Sequence, residues 1–298
     1  MDLTDLEEFA AEVGTDGPVA AVGGRTQWDI GGAPASGTRE VRAPAGVAAY
    51  EPAEMVVRCG AGTTVADLDA VLAEHGQTVA LPDWPGATVG GVLAVGRSGL
   101  RRLRLGPVRD TLLEARFVNA DGRLVKAGGP VVKNVSGFDL CRLLVGSLGT
   151  IGLLAQVVLR VVPRPATSSW FMQSGADPFE ARRRLHRPAS ILWDGATTWV
   201  LLEGHAADVR AEVGALAGAW TEVEGPPPLP SGGRASLRPA ELRGLTGAFV
   251  AEIGVGIVHT EAAVPPRPLD PAVAELNRRI KATFDPSGRL NPGRSVAA

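Results

Sequence analysis

Lysine is almost missing from this chain, with only Lys126, Lys133 and Lys281, and tyrosine occurs once. Arginine, alanine, glycine and proline take their place, a bias of composition rather than of chemistry. Cysteine is scarce too. Cys59 and Cys141 sit in apolar surroundings and read as buried thiols, which excludes a disulfide scaffold and a cysteine metal centre. With no signal-like leader, the expected compartment is the reducing cytoplasm. The four histidines, His75, His186, His205 and His259, share no metal-ligand spacing, so no metal is expected. No apolar run approaches the roughly 20 residues of a membrane span. Acids and bases interleave to a formal net charge of −2, without the basic stripe of a nucleic-acid or acidic-lipid binder.

What is abundant is glycine, and it is placed. The central stretch ATVGGVLAVGRSGLRRLRLGPVRD (Ala87–Asp110) has Thr88 positioned to cap a short apolar turn. The Gly90–Gly91 pair there is expected to leave backbone N–H groups uncovered, followed by Gly96, Ser98 and Gly99. Uncovered N–H groups at a helix start and small side chains suit a pyrophosphate, and they also suit a plain glycine-rich connection. A second glycine loop, Gly23–Gly24, follows the apolar strand at Val19–Val22. A third, Gly149 and Gly152 in SLGTIGLLAQVVL, precedes a buried strand, and FDPSGRLNPGR (Phe284–Arg294) closes the chain. GAGTTV at Gly60 lacks the third glycine and the following acid of a nicotinamide-binding Rossmann turn.

In that order these segments resemble the FAD-binding domain of the vanillyl-alcohol oxidase/p-cresol methylhydroxylase superfamily. The FAD-binding subunits of glycolate oxidases are the nearest group. The resemblance covers most of residues 1–165 and the C-terminal tail. It implies an α+β, two-subdomain FAD-binding fold with a small ferredoxin-like cap. It places FAD on Gly23, Gly24, Arg25, Thr26 and Gln27 of the first loop, and on Pro82, Ala87, Thr88, Val89, Gly90, Gly91, Ala94, Val95, Ser98 and Gly99 of the central stretch. Arg109, Gly149, Ile151 and Gly152 complete that set. Many members attach the flavin through a histidine in the first loop. Arg25, Thr26 and Gln27 stand here instead, so the implied FAD is non-covalent. The implied reaction is oxidation of a small 2-hydroxy acid, glycolate-like, beside a second flavoprotein and an iron–sulfur subunit. A FAD-binding electron-transfer or assembly subunit without turnover of its own is the alternative.

Local patterns fill in the remainder. Residues 2–13 and Thr63–His75 have helical apolar spacing, and Leu112–Gly128 reads as a hairpin turned at Asn119–Gly122. Arg101, Arg102 and Arg104 suit a solvated basic face. Asn134, Ser136 and Asp139 form a polar cluster, with Asp139 suited to cap a short helix. After Pro163–Pro165 a β-α-β-β-α-β pattern fills residues 166–224, the reduced cap. Gly225–Gly233 is proline-rich and reads as a linker (225–234), and 235–298 is expected to return to the FAD-binding domain. The apolar run ending at His259 is expected there as one buried strand beside the flavin, with His259 accepting the substrate's hydroxyl proton. Arg25, Lys133 and Arg164 are candidates for a substrate carboxylate. Trp28 and Trp84 adjoin the glycine loops and are expected to pack on core.

Overall fold

Helix α1 (Leu3–Val13) opens the computed structural model, which describes residues 3–82, 84–129, 139–265 and 268–295. It buries Leu6, Phe9 and Val13, one helical face, in a cluster with Val19, Val41 and Leu153. Strand β1 (Val19–Ala21) pairs in parallel with β2 (Arg39–Val41). Strands β3 (Val47–Glu51) and β4 (Val56–Gly60) pair antiparallel. Helix α2 (Val65–Ala73) is capped by Thr64, whose Oγ1 accepts from the Asp67 N–H at 3.0 Å, and β5 (Gln77–Val79) follows. Helix α3 is Val89–Val95 and helix α4 is Arg102–Leu105. The expected hairpin forms as β6 (Leu112–Val118) and β7 (Leu124–Gly128). Asp139 does cap a helix, α5 (Leu140–Leu144), by accepting from the Arg142 N–H at 3.1 Å. Lys133, Asn134 and Ser136 lie outside the described residues.

Strand β8 (Leu153–Pro163) sits at the middle of the first sheet, in the order β3-β4-β8-β6-β7, with β5 pairing its far end. Its nearly unbroken apolar sequence is explained by cover on both faces. Val157, Leu159 and Val161 join the cluster that includes α2 and α3, while Leu153 and Ala155 join the cluster under α1. Cys59 and Cys141 are buried in this unit, and burial pushes their thiols up to about 12 and about 11. This unit holds the described residues of 1–99, 107–164 and 266–298.

A second compact unit comprises Leu100–Gly106 and Pro165–Pro265. Strand β9 (Thr167–Ser174), helix α6 (Pro178–Arg184), strands β10 (Ser190–Trp193) and β11 (Thr197–Gly204), helix α7 (Ala206–Gly214) and strand β12 (Thr221–Val223) follow one another. Their strand order, β12-β9-β11-β10, is that of the split β-α-β motif. Strands β13 (Gly233–Ser236), β14 (Phe249–Glu252) and β15 (Ile257–Thr260) then continue the same sheet past β10.

That continuation corrects three expectations. Residues 235–265 stay with the cap instead of returning, because β14 pairs with β10 at Leu192↔Glu252 and Trp193↔Ala251. Phe249 fills the step with its ring 5.4 Å from that of Trp193, and Ala251 is fully buried. The run expected as one strand beside the flavin is a hairpin, turned where Gly254 and Gly256 take φ of 86° and 83°. The stretch read as a linker already enters β13 at Gly233.

Arg101 and Arg104 are also committed rather than merely solvated. Arg101 Nε lies 2.8 Å from the buried Glu203 carboxylate, and Arg104 Nη1 donates to the Glu203 carbonyl at 2.8 Å. His259 sits on β15, mostly buried, its Nε2 2.9 Å from Glu252 Oε1. His75, His186 and His205 are exposed.

Candidate cofactor site

Strand β1 ends in a loop that cannot tolerate a side chain where it leaves the sheet. A Cβ built on Gly24 stands 1.7 Å from the Gly86 carbonyl oxygen, and one on Gly23 stands 2.2 Å from Thr88 Oγ1. The backbone of residues 23–24 therefore lies directly against residues 86–88. Beyond it Arg25 is left-handed (φ 55°), and the Trp28 and Ile30 N–H groups turn back to the Arg25 and Gln27 carbonyls, each at 3.3 Å. Among the described residues, the N–H groups of residues 23–27 make no hydrogen bond to the protein. Successive free N–H groups around a left-handed residue form a concavity for an anion.

Helix α3 supplies the facing wall but not the donors expected of it. The Val89 N–H goes to the Thr63 carbonyl at 2.9 Å and the Gly90 N–H to the Ala61 carbonyl at 2.7 Å. The Gly91 N–H goes to Thr88 Oγ1 at 3.2 Å. The expectation of uncovered N–H groups at Gly90–Gly91 is thus corrected. The antiparallel bridge Thr64↔Thr88 brings carbonyls of residues 61–63 over the helix start. The anion donors lie in the first loop, and the Gly90–Gly91 turn contributes shape.

The third wall comes from the far end of the chain. Helix α8 (Pro271–Phe284) packs Ile280 and Phe284 on the core cluster of the first sheet. Leu290 bridges in parallel to Val19, with the Asn291 N–H donating to the Val19 carbonyl at 2.7 Å. Burying Leu290 completely contributes about 1.5–3 kcal/mol. This register places Asn291 and Arg294 beside the first loop. Asn291 Nδ2 donates to the Leu148 carbonyl at 2.5 Å, and Arg294 Nη1 donates to the Trp28 and Ile30 carbonyls.

The three walls enclose an open cavity of about 580 Å³ lined by residues 23–28, Trp84, Thr88, Gly91, Val92, Ala94, Val95, Leu148, Asn291 and Arg294. A second, of about 520 Å³, shares Gly23, Thr88, Gly91, Ala94 and Leu148 and adds Gly90, Gly149 and Gly152. A third, lined in part by Arg142, Ser147, Ile151, Lys281 and Arg294, adjoins them.

The lining carries polar atoms the protein does not satisfy. Gln27 Oε1, Asn291 Oδ1, and Arg294 Nε and Nη2 are shielded from water and have no hydrogen-bond partner among the described residues. Unsatisfied buried polar atoms are uncommon, and three such residues around one cavity mark a place for a polar ligand. Free amides for a diphosphate, an apolar helix wall and convergent polar side chains fit FAD.

Of the residues assigned to FAD by resemblance, Gly23, Gly24, Arg25, Thr26, Gln27, Thr88, Gly91, Ala94 and Val95 line the first cavity, and Gly90, Gly149 and Gly152 the second. Ile151 lines the third. Pro82, Ala87, Val89, Ser98, Gly99 and Arg109 line none of the three. Ala87 and Val89 point into the core, Ser98 Oγ accepts from the Val108 N–H at 3.1 Å, and Arg109 is exposed. Of the carboxylate candidates, Arg25 pairs with Glu40 and Arg164 with Asp69, so both cations are already engaged. Trp28 and Trp84 line the cavity rather than only packing on core, with Trp28 between the guanidinium groups of Arg25 (4.9 Å) and Arg294 (4.3 Å). Asn291 and Arg294 were missed as site residues. Only their position in the closing motif could have signalled them.

The chain is similar to known FAD-linked proteins in sequence and in fold. Residues 3–128 match the family described as FAD binding domain, and residues 240–295 match FAD linked oxidases, C-terminal domain. Glycolate oxidase subunit GlcE of Escherichia coli K12 is 33% identical over 218 residues, covering 69% of this chain and 61% of that protein. D-lactate dehydrogenase of Archaeoglobus fulgidus is 41% identical over 112 residues, 37% of this chain and 25% of that protein. Glycolate oxidase subunit GlcD of Bacillus subtilis is 36% identical over 107 residues, 35% of this chain and 23% of that protein. The chain therefore spans less than two thirds of the length of each. A solved alkyldihydroxyacetonephosphate synthase shares the fold, with TM-score 0.69 at 14% identity over 98% of this chain and 74% of that one. No helix among the described residues is long and apolar enough to cross a membrane.

Proposed function

We propose that this chain, which binds FAD and matches the FAD-linked oxidases in two segments, oxidises a small 2-hydroxy acid, glycolate or D-lactate in type, as one subunit of a multi-subunit oxidase. The observation that carries the reading is the row of N–H groups at residues 23–27 with no bond among the described residues, facing a cavity where Gln27 Oε1, Asn291 Oδ1, and Arg294 Nε and Nη2 lack partners. The substrate class is supported by relatives named glycolate oxidase subunits and D-lactate dehydrogenases. A second flavoprotein and an iron–sulfur protein are the partners proposed with it.

When bound, FAD supplies the two-electron acceptor for the substrate's C–H bond. Residues 23–27 hold its diphosphate, and Val92, Ala94 and Val95 keep water from one wall of the cavity. The expected proton acceptor, His259, belongs to the second unit, where its Nε2 is engaged by Glu252. Mixing the purified chain anaerobically with glycolate or D-lactate should bleach the visible absorbance of the flavin. Unchanged absorbance with both acids, in a protein that carries FAD, counts against independent oxidation.

A second reading has its own support: among the described residues, no His, Asp or Glu lines the three cavities. A chain that binds FAD but passes electrons for a partner needs no acid–base group there. Bleaching that appears only after the partner subunits are added would favour it.

The flavin should be non-covalent, since neither His nor Cys occurs in residues 23–28. Acid precipitation is expected to leave all the yellow colour in the supernatant, and colour in the pellet would refute this.

A further inference from the structure

We propose that Arg294 binds the diphosphate of FAD and makes the site select a dinucleotide over a flavin nucleoside. This rests on the FAD reading above. Nη1 is spent on the Trp28 and Ile30 carbonyls, and the ring of Trp28 lies 4.3 Å beneath the guanidinium carbon, so the group is held flat and fixed. The remaining edge, Nε and Nη2, has no partner and is shielded from water. That edge is the planar fork that meets an oxyanion with two parallel hydrogen bonds.

Among the described residues, the other cations that line these cavities are taken. Arg25 pairs with Glu40, Lys281 with Asp285, and Arg142 with Asp110 and Asp139. Arg294 thus brings an uncommitted fork to the same cavity that holds the free N–H groups of residues 23–27. An unpaired, dry guanidinium edge is a cost to the empty chain that a phosphate removes. Backbone amides alone accept any anion of suitable size. A fixed cation beside them adds charge complementarity, which riboflavin, lacking phosphate, does not exploit.

The test uses apoprotein, flavin fluorescence titrations with FAD and riboflavin, and ADP as a competitor. Arg294→Met is expected to weaken FAD and ADP by about 10- to 100-fold, from one or two lost charge-assisted bonds. Riboflavin should change by less than about two-fold, which is below 0.5 kcal/mol. Arg294→Lys keeps the charge without the fork and should fall between parent and Arg294→Met. Circular dichroism and melting establish that both variants fold. Lys and Met lose the same bonds to the loop carbonyls, so a slackened loop would make them equally poor and weaken riboflavin in step with FAD. Either result overturns the proposal, as does unchanged FAD affinity in Arg294→Met. A parent chain that binds no FAD would instead overturn the reading of the site itself.

Discussion

Gly24→Ala should purify folded but colourless. The added Cβ would stand 1.7 Å from the Gly86 carbonyl oxygen and 2.7 Å from its carbon, where contacts below 3.0 Å do not persist. The obstacle is backbone, not a side chain that can swing away. Gly86 is in turn held by the Ala87 N–H, bonded to the Trp84 carbonyl at 2.7 Å. The first loop must therefore lift from residues 86–88, carrying the N–H groups of residues 23–27 off the anion. Each charge-assisted bond is worth about 1.5–3 kcal/mol, so losing two weakens FAD by at least about 100-fold. Added FAD at 100 times the parent's Kd should raise parent stability by about 2.7 kcal/mol and leave the variant's melting unmoved. Gly225→Ala, where a Cβ meets nothing within 4 Å, is the control and should keep its flavin. FAD affinity within about three-fold of the parent's in Gly24→Ala, under 1 kcal/mol, would show that residues 23–27 are not the diphosphate cradle.

How far this site could be read from sequence depends on the range of the contacts that build it. The first loop was legible because its signal is local: an apolar strand running into Gly23–Gly24. So was the core of the cap, where each element of β9 to β12 is set by its own periodicity and turn residues. The N–H groups of Gly90 and Gly91 were misjudged because their acceptors, the Ala61 carbonyl and Thr88 Oγ1, include one nearly thirty positions away (about 29), brought in by a bridge no motif encodes. The fate of Phe249–Glu252 was illegible for a related reason. Its apolar run fixes that it is a buried strand, but not which sheet has a free edge to receive it. Arg294 was the hardest. Nothing in NPGR announces a half-satisfied guanidinium, which arises only once Leu290 pairs with Val19 at the opposite end of the chain.

That pairing depends on one carboxylate, and Asp285→Asn should both destabilise the protein and loosen its cofactor. The Asp285 side chain is completely buried. Oδ2 accepts from Lys281 Nζ at 2.5 Å and from the Leu290 N–H at 2.8 Å, and Oδ1 from the Arg289 N–H and Ser287 Oγ at 3.1 Å each. Lys281 Nζ also donates to the carbonyls of Thr150 and Leu290. The carboxylate thus bends the chain after α8 and aims Leu290, Asn291 and Arg294 at β1 and its loop. An amide supplies one acceptor and an unwanted donor, and strips Lys281 of its counter-charge. Breaking a buried pair from one side costs about 3–5 kcal/mol, a fall in Tm of roughly 6–20 °C for a chain of this size. The pH dependence gives the same carboxylate a separate signature. Burial alone would raise the Asp285 carboxyl, but Lys281 and the N–H groups of Leu290 and Arg289 outweigh it and hold the group below the ordinary carboxylate range. A carboxyl lowered by folding stabilises fully above its unfolded value, about 3.9, and that contribution drains away as pH falls through the folded value. The Tm gap between parent and Asp285→Asn should therefore be constant at neutral pH and narrow below about pH 4. FAD should dissociate from the variant more readily even at neutral pH, where the parent's tail is locked. A gap that does not narrow in acid, or a variant that holds FAD as firmly as the parent, would show that Asp285 does not hold the tail against the cofactor site.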